Sequence, residues 1–132
     1  MKIICDTNAL LFHTLNPGRL TQKATDALER GRREGTLACS DIVFWEIAML
    51  AAKGRLQLPQ PTKAFMDDLI LALDLEVLPI TPAIAALSQT LALPHKDPAD
   101  RIIAATALVH RATLVTADEL LRRLPGLAIL WD

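Results

Sequence analysis

Four acids stand where one edge of a fold could gather them: Asp6, Glu46, Asp100 and Asp118. Ionised carboxylates brought together repel one another. A hard divalent cation such as Mg²⁺ or Mn²⁺, which takes carboxylate oxygens and water octahedrally, is the usual remedy. Ions held in this way activate water and stabilise the oxyanions of an in-line attack on a phosphodiester. These residue types therefore point to metal-dependent phosphodiester hydrolysis. No His/Cys spacing suggests zinc. The five glycines are scattered at helix ends rather than gathered in a phosphate loop, which argues against nucleotide-driven phosphoryl transfer.

Each acid also has a purely local explanation. Glu46 has Ile42, Val43, Met49 and Leu50 three and four positions away, so on a helix it lies in an apolar stripe facing the core. A carboxylate there is protonated, paired or metal-bound, unless it sits at the stripe's edge and reaches solvent. Asp6 ends an apolar run and could simply cap the helix that begins at Thr7. Asp97 has the look of an N-cap, with Pro98 at the first helical position and Asp100 three residues after the cap, so a capping box would account for that stretch. Asp100 also lies in line with Ala104 and Ala107, whose small side chains would let another element approach. Thr116 and Glu119 fit a capping box by themselves, which leaves Asp118 spare. His95 could orient a phosphate or a water, but a lone histidine before a cap has a bland reading too.

The elements that must position these residues follow from periodicity. Lys2 to Asp6 reads as a buried strand, Thr36 to Cys39 as a second, Glu76 to Ile80 as a third, Thr113 to Thr116 as a fourth and Leu127 to Trp131 as a last. Between them lie helical patterns at Thr7 to Leu15, from a Thr21 cap to the polar run Arg30–Gly35, at Asp41 to Lys53 with Gly54 closing it, and at Thr62 to Leu73. Further ones start at the Thr81-Pro82 and Asp97-Pro98 caps, the latter running to about Arg111, and at Ala117 to Leu124. This alternation implies an α/β sandwich with a mostly parallel sheet of four to five strands. Sites in such sheets form beyond the carboxyl ends of the strands, which is where the acids fall.

The bulk composition is that of an ordinary globular chain: 132 residues, 52% hydrophobic and 22% charged, enough for one core and one domain over residues 1–132. No apolar run reaches the roughly 18 residues of a membrane span, and Met1-Lys2 leads into a stretch too brief for a signal peptide, so a cytoplasmic protein is expected. Cys5 and Cys39 read as reduced core residues. The net charge of −1 does not announce a nucleic-acid partner. With four carboxylates on metal, however, the balance becomes 14 basic against 11 acidic, leaving Lys53, Arg55, Lys96 and Arg101 beside the acidic motifs as candidate phosphate contacts or as solvated surface charge.

Taken in order, these motifs resemble the PIN-domain ribonucleases, and in particular the VapC-type toxins of bacterial toxin–antitoxin pairs. Asp6-Thr7-Asn8-Ala9-Leu10-Leu11 is similar to the family's opening motif, and Phe44-Trp45-Glu46-Ile47-Ala48 with Lys53-Gly54-Arg55-Leu56 to its second. His95-Lys96-Asp97-Pro98-Ala99-Asp100-Arg101 resembles a stretch that usually reads His-x-Asp-Pro-Phe-Asp-Arg, Ala99 standing where that pattern has an aromatic. Leu114-Val115-Thr116-Ala117-Asp118 and Leu130-Trp131 complete the order. The resemblance implies a PIN-like three-layer α/β/α sandwich. It implies catalytic and metal-binding roles for Asp6, Glu46, Asp100 and Asp118, with Thr7, Asn8 and Thr116 in support and Asp97 as either a helix cap or a further ligand. It also implies Mg²⁺ or Mn²⁺ as cofactor, RNA as substrate, a homodimer and a VapB-like antitoxin. Two other readings stay beside it: a PIN-like module that binds RNA or protein without cutting, and a haloacid-dehalogenase-like phosphatase. The latter wants a second acid where this chain has Asn8, and a late lysine that is missing.

Overall fold

The computed structural model describes residues 1–132. Five strands, β1 (Ile3–Cys5), β2 (Leu37–Ser40), β3 (Glu76–Leu78), β4 (Thr113–Val115) and β5 (Ala128–Leu130), form one sheet in the order β3-β2-β1-β4-β5. Every pairing is parallel, so each return to the sheet needs a crossover. The crossovers are helices: α1 (Thr7–Leu15), α2 (Gln22–Glu34), α3 (Ile42–Ala52), α4 (Thr62–Leu73), α5 (Pro82–Thr90), α6 (Pro98–Val109) and α7 (Glu119–Arg122), with one 3₁₀ turn at Pro17–Arg19. This is the expected α/β/α sandwich. Its sheet is wholly parallel rather than mostly so.

Burial explains why β1 and β2 read as continuous apolar runs. All of Ile3–Cys5 and Leu37–Ser40 is buried, as befits central parallel strands covered by helices. Cys5 and Cys39 sit there as free, buried cysteines, and burial pushes both thiols up, Cys39 to about 12, so they stay protonated packing residues.

Two boundaries and the burial of one glycine differ from expectation for identifiable reasons. β3 stops at Leu78 because Pro79 has no N–H to continue a ladder. α6 ends at Val109: Arg111 turns to φ 52°, and the Ala112 N–H returns to the Ala107 carbonyl at 2.9 Å. Gly31 is not part of a solvated helix end. It lies buried inside α2, where a Cβ would come within 2.6 and 2.8 Å of the Leu37 side chain, so its missing side chain lets α2 close on β2, while Arg30, Arg32 and Arg33 are exposed around it.

Because the strands are parallel, their carboxyl ends share one edge. Asp6 follows β1 directly, Thr116 follows β4 directly, and α3, carrying Glu46, starts just past β2.

Candidate functional site

Asp6 is fixed from both sides of the central strand pair. It caps α1, with the Ala9 N–H donating to Oδ1 at 2.8 Å, and its Oδ2 accepts from the Thr116 hydroxyl. Thr116 Oγ1 accepts in turn from the Asp118 N–H at 3.0 Å, so one buried hydroxyl ties the end of β1 to the end of β4. Asp6 is only 4% exposed. Burial pushes its carboxyl up to about 6, with the Asp118 and Glu46 charges adding to the rise and the Thr116 and Ala9 hydrogen bonds resisting it. Capping and a site role, alternatives on sequence, are compatible here.

Of the two readings open for Glu46, the structure takes the second: it is not in the core but at the edge of the α3 stripe, half-buried, because only Val43 and Ile47 of that helix are fully covered. The buried Thr7 hydroxyl donates to Oε1 and holds the carboxylate toward the strand ends. Burial raises its pKa, Thr7 opposes the rise, and Asp97 adds to it.

At the start of α6, Asp97 is the cap, accepting from the Ala99 N–H at 2.9 Å. The capping box does not form: the Asp97 N–H donates to His95 Nδ1 at 3.3 Å, so Asp100 is not needed there and turns into the site. His95 Nε2 lies 2.9 Å from Asp100 Oδ2 and 2.9 Å from Asp118 Oδ2. Burial drives Asp100 up to about 7, helped by Asp97, opposed by His95, and helped again by Glu46 and Asp118. For His95, burial lowers the pKa, but the three facing carboxylates outweigh it and the net direction is up. Ala99, in place of an aromatic, is buried, and the acids on either side of it still converge.

Asp118 corrects an expectation. It is not spare: it is itself the cap of α7, accepting from Leu120 N–H at 2.8 Å and Leu121 N–H at 3.1 Å through Oδ1. Thr116, expected as that cap, is buried and engaged with Asp6. Asp118 Oδ2 remains for His95. Burial alone would raise this carboxyl, but the His95 hydrogen bond and the two helix amides hold it below the ordinary carboxylate range.

The donors therefore form two overlapping sets. Donor atoms of Glu46, Asp97 and Asp100 lie within 4.8 Å of one another, as do those of His95, Asp100 and Asp118. Asp100 belongs to both, and Asp6 is joined to them through Thr116. A crowd of carboxylate oxygens with one imidazole and no thiolate fits a hard divalent cation far better than a thiolate-loving one. The arrangement can hold such an ion and aim water at a phosphorus.

The basic residues divide. Lys53, Arg55 and Lys96 are exposed, and Arg55 lines a groove of about 520 Å³ that opens on Glu46 and Asp97. Arg101, expected at the phosphate rim, is instead turned away, with four hydrogen bonds to backbone carbonyls. Asn8, exposed beside Asp6, lines the groove without touching the acids' hydrogen bonds. Two residues gain weight that sequence reasoning did not give them. His95 sits inside the cluster, and its signal was its place two residues before Asp97. Arg19 lines the groove with its guanidinium 4.4 Å above the Phe12 ring, and a Pro-Gly-Arg turn carries no such signal.

Residues 3–127 match the family model described as PIN domain. The chain is 35% identical over 134 residues to Ribonuclease VapC22 of Mycobacterium tuberculosis (strain ATCC 25618 / H37Rv), covering 98% of each. Among solved structures it superposes on VapBC2 from Rickettsia felis bound to a DNA fragment from their promoter, with a TM-score of 0.77 at 22% identity over 100% of both chains. A toxin-antitoxin complex from Klebsiella pneumoniae matches with a TM-score of 0.60 at 26% identity, over 96% of each chain.

Proposed function

The chain belongs to the PIN-domain family, and from that premise we propose that it is a Mg²⁺- or Mn²⁺-dependent endoribonuclease, the toxin of a toxin–antitoxin pair, hydrolysing RNA phosphodiester bonds. The observation that carries this reading is the sharing of Asp100 between two sets of convergent donors at the carboxyl ends of parallel strands. The chemistry a divalent cation supplies when bound among such acids is activation of water and neutralisation of charge on the phosphate.

The chain's own groups prepare that chemistry. Asp6, Glu46, Asp100 and Asp118 would hold the ion, with Asp97 beside them as a helix cap or a further ligand. The Thr116 hydroxyl and Ala9 N–H keep Asp6 in one orientation, and the Thr7 hydroxyl does the same for Glu46. His95 brings an imidazole nitrogen to the two acids nearest α7 and can share a proton with them. Arg55, Lys53 and Lys96 would take RNA backbone phosphates at the rim.

The relationship to the Mycobacterium ribonuclease supports RNA as substrate, and the likeness to a toxin-antitoxin complex supports a VapB-like antitoxin as partner. The apolar α3, with Trp45 60% exposed, supports coverage of that face by another chain, which suits a homodimer. No helix is long and apolar enough to cross a membrane, and RNA as substrate suits a cytoplasmic location.

The test is incubation of total RNA with the purified protein and with Asp100→Asn, in Mg²⁺ and in EDTA. Cleavage that needs Mg²⁺ and falls by at least about 100-fold in a folded Asp100→Asn protein is expected, the scale of losing a main source of transition-state charge stabilisation. A folded Asp100→Asn protein cutting at the parental rate refutes the site. A parent that binds RNA but never cuts it at high enzyme turns the assignment to a non-catalytic module.

A further inference from the structure

Arg101 is adjacent in sequence to Asp100, yet its guanidinium donates to backbone carbonyls rather than to any of the acids' carboxylates. Its Nε donates to the Ser88 carbonyl at 2.7 Å, Nη1 to Leu93 at 2.7 Å and His95 at 3.1 Å, and Nη2 to Leu91 at 3.1 Å. These acceptors are the end of α5 and the irregular strap that joins it to α6. Helix α5 stops at Thr90, leaving carbonyls without intrahelical partners, and the strap has no sheet ladder to satisfy its own. Within the strap the backbone supplies just a Leu93 N–H to Leu91 carbonyl bond at 2.8 Å. The guanidinium is thus what gathers these carbonyls, and a cation at the carboxyl end of α5 also suits the helix dipole.

The strap matters because of what it carries. His95 and Asp97 reach the acid cluster from it, whereas Asp100 reaches the cluster from α6, the helix that holds Arg101. One side chain therefore fixes the spacing between the two halves of the donor set. We infer that Arg101 is a positioning residue: by clamping the Ser88–His95 carbonyls it sets where His95 and Asp97 stand relative to Asp100. Lysine cannot replace it, since an ammonium is a point donor, whereas four carbonyls spread over eight residues need the planar fork. This inference rests on the nuclease reading for its consequence in catalysis, though not for its consequence in metal binding.

The decisive variant is Arg101→Lys, which keeps the charge and loses the fork. With a short RNA, kcat should fall by about 100-fold, the penalty for a misplaced catalytic constellation, with KM and its salt dependence unchanged. Mg²⁺ affinity by calorimetry should weaken by about tenfold, as when a supporting hydrogen bond behind a ligand is lost. Amide hydrogen exchange over residues 91–97 should speed up. A phosphate-contact role predicts the opposite split: Arg101→Lys near parental, and Arg101→Gln with raised KM and a salt slope smaller by about 0.7. That result, or a lowered melting temperature with kcat, Mg²⁺ affinity and exchange all parental, overturns the inference. If Arg101→Lys does not fold, Arg101→Gly in millimolar methylguanidinium replaces it: recovered circular dichroism with recovered Mg²⁺ affinity supports the clamp, and recovered fold without Mg²⁺ affinity overturns it. If the parent cuts no RNA, the nuclease reading falls. Mg²⁺ affinity and strap exchange then still decide the role of Arg101.

Discussion

Replacing Asp6 by Asn removes a charge from a place where the fold holds it at a cost. The carboxyl rises from 3.8 to about 6 in the folded chain, and each unit is worth about 1.36 kcal/mol, so ionised Asp6 costs about 3 kcal/mol relative to the unfolded chain once pH exceeds 6. At 4% exposure there is little solvent screening to discount. Asn keeps an oxygen for the Ala9 N–H but takes away the acceptor of the Thr116 hydroxyl, a loss of about 1 kcal/mol. The net gain is about 2 kcal/mol, or roughly 6–8 °C in melting temperature for a chain of this size. The folded state binds the Asp6 proton more tightly than the unfolded one, so this group's contribution to parental stability falls as pH rises from 3.8 through 6 and is flat above. The Asn protein should therefore be the less stable by about 1 kcal/mol below pH 4, cross the parent as pH rises toward 6, and exceed it most at pH 7–8. Mg²⁺ should reverse the order, because a ligand at a hundredfold its Kd adds about 2.7 kcal/mol to the protein that binds it. Thermal melts from pH 4 to 8, in EDTA and in Mg²⁺, read all of this. An Asp6→Asn protein less stable than the parent at pH 8 in EDTA would refute the electrostatic account, and equal Mg²⁺ shifts in both would remove Asp6 from the metal site.

Two further substitutions separate site from scaffold. Thr116→Val deletes the hydroxyl that donates to the buried Asp6 and accepts from the Asp118 N–H, leaving both partners short. Stability should drop by about 2–4 kcal/mol in denaturant melts, and the Asp6 titration followed by carboxyl ¹³C NMR should move upward from about 6. Gly31→Ala would drive a Cβ to 2.6 Å from the Leu37 side chain and should cost about 1–3 kcal/mol, while cleavage per folded molecule stays parental.

The sheet was legible in the sequence because its central strands are buried on both faces and so read as unbroken apolar runs, and because caps such as Thr21, Thr81 and Asp97 mark helix starts by residue type alone. The convergence of the acids followed from parallel topology. What the sequence concealed are choices between equally good local partners. Thr116 could cap α7 or reach Asp6, and it went to Asp6 because β4 pairs with β1. Asp118 then took the cap it left vacant. Arg101 could face solvent or bind carbonyls, and α5 ending short of the strap supplied the carbonyls. Such outcomes are set by contacts distant in sequence, which residue type and spacing do not encode.

The Asp6–Thr116 contact joins positions 110 residues apart. Synthesis delivers Asp6 well before Thr116, and β1 has no neighbour on one side until β4 has emerged. Long-range pairing of this kind is slow and comes late in folding. A nascent chain therefore carries Asp6 and Glu46 long before it can align them with Asp100 and Asp118. Whatever chemistry these carboxylates carry is withheld from the ribosome that makes them until β4 has emerged.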